Sequence, residues 1–394
     1  MNEHDGVWYV FKLLFAYLFI MRLYEFESKA LLREYGIVTP RSFVFSSPND
    51  PQMDKIDFPF PWYIKAQVPV GGREKAGGVV KVNDFGDAKT QIQLIFQKII
   101  NGYPVEKLLV EEAVFAKKEM YLSITIDRQE CCYSILAGSQ GGIDIETRAA
   151  EHPETIMRIQ VSPLREIREF DILPISQHLG LETELVRHVV LAMHAIALAF
   201  DADLVEINPL IIAKKGLMAL DAKIQVDDFA LFRQPAIALL PPRGRTKEEE
   251  AAASLGLSYV SLSGNIGIIC NGAGLTMSTM DLVKSKGGEP ANFLDLGGGA
   301  RSHEFKKGIT FIMDNERVRV LFINIFGGIT RCDEVAKGLA DAVSEIGLKK
   351  PIVVRLAGTN ENEGRQILEG IGISAFADSD DAAKRAVTMV GDRQ

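Results

Sequence analysis

The sequence predicts an α/β protein built in two parts, and three observations predict it. Beyond residue 255, apolar runs of strand length alternate with helical patterns, and the runs end in glycine-bearing loops at 271–274, 297–299, 327–330 and 358–360. Such alternation is the pattern of a doubly wound parallel sheet. Ahead of residue 240, short β-rich runs gather without that alternation and close on a hairpin, 205–210 against 219–223, with Gly216 in its link. Between the two parts, Pro241-Pro242-Arg243-Gly244-Arg245 can hold neither a helix nor a central strand. The expected division is an apolar extension over 1–20, a first domain over 21–240, a linker over 241–254 and a second domain over 255–394.

Taken in order, the first twenty residues do not match the rest. Residues 7–21 are almost wholly apolar and aromatic, broken by Lys12, and Glu3 and Asp5 precede them where a signal peptide carries positive charge. The stretch is short for a membrane span. Three readings stand: a start placed ahead of a true start at Met21, a helix packed on the domain or a partner, and a membrane anchor. The first is the expectation. Residues 22–36 read as an amphipathic helix, with Leu23, Phe26, Ala30, Leu31 and Tyr35 near a 3.6-residue period and Gly36 as its stop. Strands are expected at 42–45, 62–68, 108–110, 120–126 and 131–137, and helices at 88–100 and 183–200, the latter with Thr183 as candidate N-cap.

With 394 residues, 47% apolar and 24% charged, the chain has the composition of a globular protein with two or three cores. A net charge of −8 leaves no global basic field for nucleic acid. The cysteines, Cys131, Cys132, Cys270 and Cys332, lack metal-ligand spacing and fit a reducing compartment.

The candidate chemistry of the first part is that of phosphate binding. Lys65 interrupts an apolar strand, and a lysine so placed needs a partner, for which a nucleotide phosphate is one candidate and open water the other. The segment 71–78, Gly-Gly-Arg-Glu-Lys-Ala-Gly-Gly, can wrap phosphates with backbone N–H groups while Arg73 and Lys75 add charge. It is not a Walker loop. Glu111 and Glu112 end a strand, and Glu119 follows; carboxylates so placed can accept from a base amino group or ribose hydroxyls, or can be plain surface. Glu206 and Asn208 share a strand face, and the hairpin brings Asp221 beside Asn208. An amide oxygen and a carboxylate on a rigid sheet suit Mg²⁺, although solvated strand tips look the same in sequence. In the second part the glycine loops open helices, whose free N–H groups favour an anion at one sheet edge.

Lys65, the Gly-Gly-Arg-x-Lys-Ala-Gly-Gly segment, Val110-Glu111, Lys118-Glu119, Glu206-Ile207-Asn208-Pro209-Leu210 and Leu220-Asp221-x-Lys223 occur in this order. In this they resemble the ATP-grasp half of the β subunits of ADP-forming succinate–CoA ligases. Further along, Gly264-Asn265-Ile266-Gly267, Asn271-Gly272-Ala273-Gly274, Gly287-Gly288-Glu289-Pro290 and Asn324-Ile325-Phe326-Gly327-Gly328-Ile329 resemble the same family. The resemblance runs from Met21 to near the C-terminus. It implies an ATP-grasp domain followed by a flavodoxin-like CoA-ligase domain. It also implies the reaction ATP + succinate + CoA giving ADP + phosphate + succinyl-CoA. By the same resemblance, Lys65, Gly72, Arg73 and Glu74 are nucleotide-phosphate positions, and Glu111, the backbone at Val114, and Glu119 are base and ribose positions. Asn208 and Asp221 are Mg²⁺ ligands, and Glu206 is the carboxylate that meets a phosphohistidine. Asn271, Gly328, Ile329 and Thr330 are substrate-binding positions.

The family's phosphohistidine and CoA site belong to an α subunit, so the resemblance implies that partner, as αβ or α2β2, in the cytoplasm. A malate–CoA ligase β chain and a non-catalytic nucleotide-binding paralogue are the alternatives. The sequence departs from the family in Glu74 where glycine is usual, in Pro69-Val70 where His-Ala is common, in Tyr24 where histidine is usual, and in the short stretch 236–250. Pro40 follows the adenine-using members.

Overall fold

The computed structural model describes residues 20–142, 152–214, 216–241 and 243–391. The expectations for residues 1–19 lie outside the described residues. The chain divides into two compact units between Gly244 and Arg245.

The first unit holds two larger antiparallel sheets and a two-stranded ribbon among the described residues. A four-stranded one runs β2 (Ser42–Phe45), β7 (Leu108–Glu112), β3 (Trp62–Ala66) and β4 (Val79–Val82). A small ribbon pairs β5 (Ile99–Ile100) with β6 (Tyr103–Pro104). The large sheet runs β1 (Ile20–Arg22), β13 (Ala222–Asp227), β11 (Ala202–Ala213), β8 (Glu119–Asp127), β9 (Cys132–Gly138) and β10 (Ile156–Val161), with β12 (Gly216–Ala219) also on β11. Helix α1 (Glu25–Glu34), α3 (Glu169–Leu179) and α4 (Thr183–Ala199) cover one face of the large sheet, where Leu32, Ile172 and Val190 meet Leu122, Ile207 and Ile224. Helix α2 (Phe85–Phe96) lays Ile92 and Ile95 on Ile64 and Val110 of the smaller one. Along β11, Val205 and Ile207 are buried and Glu206 and Asn208 alternate with them on the opposite face, as a strand requires.

Two expectations are corrected here. Thr183 is not the cap of its helix but its first residue, and Glu182 takes the cap position. More consequential is α1. The expected apolar face is the less buried one: Ala30 is exposed and Phe26, Leu31 and Tyr35 are only half-buried. The buried stripe is Glu25, Ser28, Lys29 and Leu32, spaced i, i+3, i+4, i+7. That face is buried because its polar atoms are partnered by both sheets; Ser28 Oγ, for instance, accepts the Ile224 N–H at 3.2 Å.

A short helix α5 (Pro235–Ala238) precedes Arg243, which returns to the start of α1. Its guanidinium stacks 3.7 Å over the Tyr24 ring and pairs with the Glu27 carboxylate. The stretch expected to be linker also contains α6 (Lys247–Ser254). A capping box explains it, with Thr246 Oγ1 accepting the Glu249 N–H and Glu249 accepting the Thr246 N–H, ahead of a run of alanines.

The second unit has a six-stranded sheet ordered β14 (Ser258–Ser261), β16 (Asn292–Asp295), β15 (Ile266–Cys270), β17 (Val320–Gly327), β18 (Ile352–Gly358), β19 (Ala375–Phe376). Leaving out β14, which is antiparallel and unanticipated, the parallel strands run 2-1-3-4-5, the flavodoxin-like order. Strand alternation produces two cores. Ile266, Ile268 and Phe322 face α7 (Ala273–Ser285) and α11 (Ser379–Gly391). Ile269, Leu321 and Ile323 face α8 (Ser302–Asp314), α9 (Cys332–Ile346) and α10 (Glu361–Gly370).

At the carboxyl ends of β17 and β18 the loops nearly touch. Gly358 has φ +110°, and a Cβ there would lie 2.0 Å from the Gly327 carbonyl oxygen. Gly358→Ala should therefore destabilise this unit by roughly 2–4 kcal/mol, combining backbone strain with overpacking. The shift of its transition in a urea melt checks this; an unchanged midpoint would mean that the two loops separate freely.

Candidate nucleotide and anion sites

In the first unit the site forms where β11 loses its regular pairing. Leu220 N donates to the Pro209 carbonyl at 3.0 Å, but proline has no N–H with which to answer, so the ladder leaves the Leu220 carbonyl without a strand partner. Two lysines take it: Lys29 Nζ at 2.7 Å and Lys65 Nζ at 2.9 Å. The next residue, Asp221, lies against Asn208, whose N–H donates to the Asp221 carbonyl at 3.3 Å. The sequence-predicted juxtaposition of Asn208 and Asp221 is present in the backbone pairing of the two residues.

Lys65 lies two residues along β3 from Tyr63, which pairs with Glu111 of β7, so Lys65 and Glu111 are diagonal neighbours on one sheet face. Lys65 Nζ sits 2.8 Å from a Glu111 carboxylate oxygen and 2.8 Å from Glu25. Burial disfavours the Lys65 charge, yet Glu111, Glu25 and Asp221 outweigh that and hold its pKa above the ordinary lysine value. Glu111 is buried and engaged by Lys29 and Lys65, so its carboxylate lies beneath the site rather than on an open strand end.

The glycine-rich segment is fastened at both ends. Asn101 Nδ2 donates to the Gly71 carbonyl and Lys98 Nζ to the Gly77 carbonyl. Between them a tight turn forms, with Gly72 and Gly77 at positive φ and the Gly78 N–H donating to Arg73 O at 2.7 Å. The turn carries Arg73 inward. One guanidinium nitrogen donates to Ala66 O at 3.1 Å and makes an ion contact with Glu25 at 2.8 Å; the other meets Asp221 at 2.8 Å. Glu74 is exposed. Burial, followed by the Glu25 charge, raises the Asp221 pKa, against the lowering pull of Arg73, Lys65 and Lys29. Glu25 has the opposite fate: burial raises its pKa, but Lys29, Lys65 and Arg73 hold it well below the usual carboxylate range.

Other predicted residues fall nearby or elsewhere. Asn208 Oδ1 accepts the Gly142 N–H at 2.7 Å while its amide donates to Gly142 O. Glu119, exposed at the start of β8, has a carboxylate oxygen 3.6 Å from where a Gly142 Cβ would stand. Val114 lies in the segment between β7 and β8. Glu206 is directly opposite Lys223 on β13 and Ser123 on β8. Sequence reasoning missed Glu25 and Lys29; the one available signal was an i, i+4 acid–base pair, which reads equally well as a surface pair.

In the second unit, Asn271 follows β15 directly and pairs reciprocally with the end of β17. Its amide donates to Phe326 O at 3.0 Å and its oxygen accepts the Phe326 N–H at 3.1 Å. These strands flank the point where strand order reverses, the place where open α/β sheets bind ligands. Gly328 and Ile329 are exposed there, whereas Thr330 is buried with its hydroxyl accepting the Gly299 N–H at 3.1 Å. Thr359 holds the Gly328 carbonyl at 3.0 Å. Asp295 caps two neighbouring loops, accepting from the Gly272 and Gly297 N–H groups.

A family model described as an ATP-grasp domain matches residues 22–212, and one described as a CoA-ligase matches 269–390. Proteins named succinate–CoA ligase [ADP-forming] subunit beta from Ignicoccus hospitalis and Desulfurococcus amylolyticus are each 44% identical over 94% of this chain and 99% of their own. The chain belongs to the family of ADP-forming succinate–CoA ligase β subunits. It is thus a ligase β subunit with an ATP-grasp half and a CoA-ligase half, which the two units embody. A solved structure of ATP citrate lyase from Methanothrix soehngenii, in complex with citrate and coenzyme A, shares the fold at 22% identity. Its TM-score is 0.70, over 94% of this chain and 100% of that one. No helix among the described residues is long and apolar enough to cross a membrane.

Neutralising Glu25 removes the largest charge that raises the Asp221 pKa. Glu25→Gln should therefore lower the Asp221 titration toward 3.8, followed by carboxyl-carbon NMR. The wild-type chain also draws stability from the lowered Glu25 pKa. That stability is present above about pH 4.5 and lost as pH falls through the folded-state value, and this component should vanish from the variant's stability profile. An Asp221 titration that does not move would show that the two carboxylates are not coupled.

Proposed function

We propose that the first unit binds Mg-ATP. With an α subunit that carries the phosphohistidine and the coenzyme A site, the chain interconverts succinate, CoA and ATP with succinyl-CoA, ADP and phosphate. The observation that carries this reading is the convergence of Lys65 and Arg73, on a sheet and on a glycine turn, beside Asp221 and Asn208. Family membership supports the same assignment, since the relatives bear that name.

Phosphoryl transfer rests mainly on positioning and charge neutralisation. Lys65 and Arg73 now hold carboxylate oxygens, and phosphate oxygens are acceptors of the same kind, so both cations can pass to them. Gly72 and Glu74 contribute backbone around the phosphates, and Glu111, Val114 and Glu119 border the base and ribose. The donor chemistry of Asn208 and Asp221, one amide oxygen and one carboxylate on bonded neighbours, fits Mg²⁺, which keeps several waters and takes phosphate oxygens besides. Held there, Mg²⁺ supplies positive charge to the triphosphate. Glu206 shares the Asn208 face and accepts an N–H of the incoming histidine, orienting its other nitrogen.

Succinate is a dianion, and we assign it to the sheet edge of the second unit. Asn271 and the loop of Gly328, Ile329 and Thr330 flank the switch point, and the exposed Gly328 and Ile329 leave backbone N–H groups to meet a carboxylate. The unpaired state of all four cysteines supports a cytoplasmic setting.

Co-expression with the α-type subunit of the same genome tests the reading, through ADP release on adding CoA with succinate or malate. Release with succinate is expected; none with either acid would refute the function, and release with malate well above succinate would move the substrate assignment. In the same complex, Asp221→Ala should abolish phosphorylation of the α-subunit histidine while the subunits stay assembled by size exclusion. Retained phosphorylation would show that Asp221 does not hold the metal.

A further inference from the structure

Lys29 and Lys65 have the same partners. Lys29 Nζ lies 2.8 Å from Glu25 Oε1, 2.6 and 2.8 Å from the two Glu111 oxygens, and 2.7 Å from Leu220 O. Lys65 Nζ lies 2.8 Å from Glu25 Oε1, 2.8 Å from Glu111 Oε2 and 2.9 Å from Leu220 O. An ammonium has three N–H donors, so either lysine alone can serve all three acceptors. The two differ in access. The Lys29 side chain is 0% exposed and that of Lys65 is 11% exposed. Only Lys65 can turn outward.

Departure of Lys65 alone would normally be costly, because buried carboxylates left without a cation are strongly destabilised. Arg73 cannot fill the gap by itself, since it reaches Glu25 but not Glu111 and is shared with Asp221. We propose that Lys29 is a positioning residue for the phosphate site: by duplicating the contacts of Lys65, it lets Lys65 leave Glu25, Glu111 and the Leu220 carbonyl for a phosphate oxygen without orphaning them. The proposal rests on the nucleotide reading above and adds to it a reserve cation that never touches the ligand.

The test is calorimetric titration of the full chain with Mg-ATP and, separately, with adenosine, in the wild type, Lys29→Met and Lys29→Met/Glu25→Gln. Without Lys29, Lys65 is the one ammonium for the acceptors and is held back. Lys29→Met should weaken Mg-ATP binding by about 10- to 100-fold, the loss of one charge-assisted hydrogen bond, and leave adenosine within about twofold. The double variant removes one of the two carboxylates and should recover most of the Mg-ATP affinity. Unchanged Mg-ATP binding in Lys29→Met would overturn the proposal. So would equal losses for Mg-ATP and adenosine, which mark a merely structural role, or a double variant no better than the single one. If Lys29→Met does not melt cooperatively, the charge-balanced double variant decides: affinity near wild type supports the proposal, and a loss as large as that of Lys65→Met overturns it. Failure of the wild type itself to bind Mg-ATP would refute the nucleotide reading instead.

Discussion

Glu25 and Glu111 bring two buried negative charges, and the half-buried Asp221 a third, into one corner of the first unit, and Lys29, Lys65 and Arg73 answer them. Each buried ion would cost several kcal/mol if left alone. The need to balance them fixes much else. It turns the charged stripe of α1 inward, sets Lys65 on the strand beside Glu111, and draws the glycine turn in through Arg73. A missing N–H at Pro209 adds the seventh participant, a backbone carbonyl that two ammonium groups share. The cluster carries three positive and three negative groups, so a polyanion arriving there would have to trade places with carboxylates rather than fill a waiting positive hole.

The second unit solves a different problem with backbone rather than charge. Parallel strands aim several helix-opening loops at one edge, and those loops are held open by their own side-chain bonds: Asn271 to Phe326, Asp295 to Gly272 and Gly297, Thr359 to Gly328. Close approach of Gly327 and Gly358 allows the two neighbouring strand ends to finish level. What remains exposed is the run Gly328-Ile329, next to the reversal of strand order.

The doubly wound half was legible because its signal is redundant: each strand, glycine loop and helix repeats the same message. The pairing of Asn208 with Asp221 was legible because hairpin register is local. The inward face of α1 was not. Periodicity assigns burial to apolar residues, and here Glu25 is buried against Lys65 and Arg73, and Lys29 against Glu111 and the Leu220 carbonyl, all far along the chain, while Ala30 faces out. Glu111 was placed correctly at the end of a strand, but whether its carboxylate meets ligand or lysine depends on that same helix. The antiparallel β14 escaped notice because Ser258-Tyr259-Val260-Ser261 holds only two apolar residues, and α6 because its capping box runs into a charge run.

In the proposed exchange, one of two lysines with the same partners moves and the other stays. A crystal structure of the chain with Mg-ATP tests it directly. Lys65 Nζ should lie on a phosphate oxygen, with Lys29 Nζ still bonded to Glu25, Glu111 and the Leu220 carbonyl. Lys65 remaining on both carboxylates beside a bound triphosphate, or Lys29 leaving them together with it, would rule the exchange out.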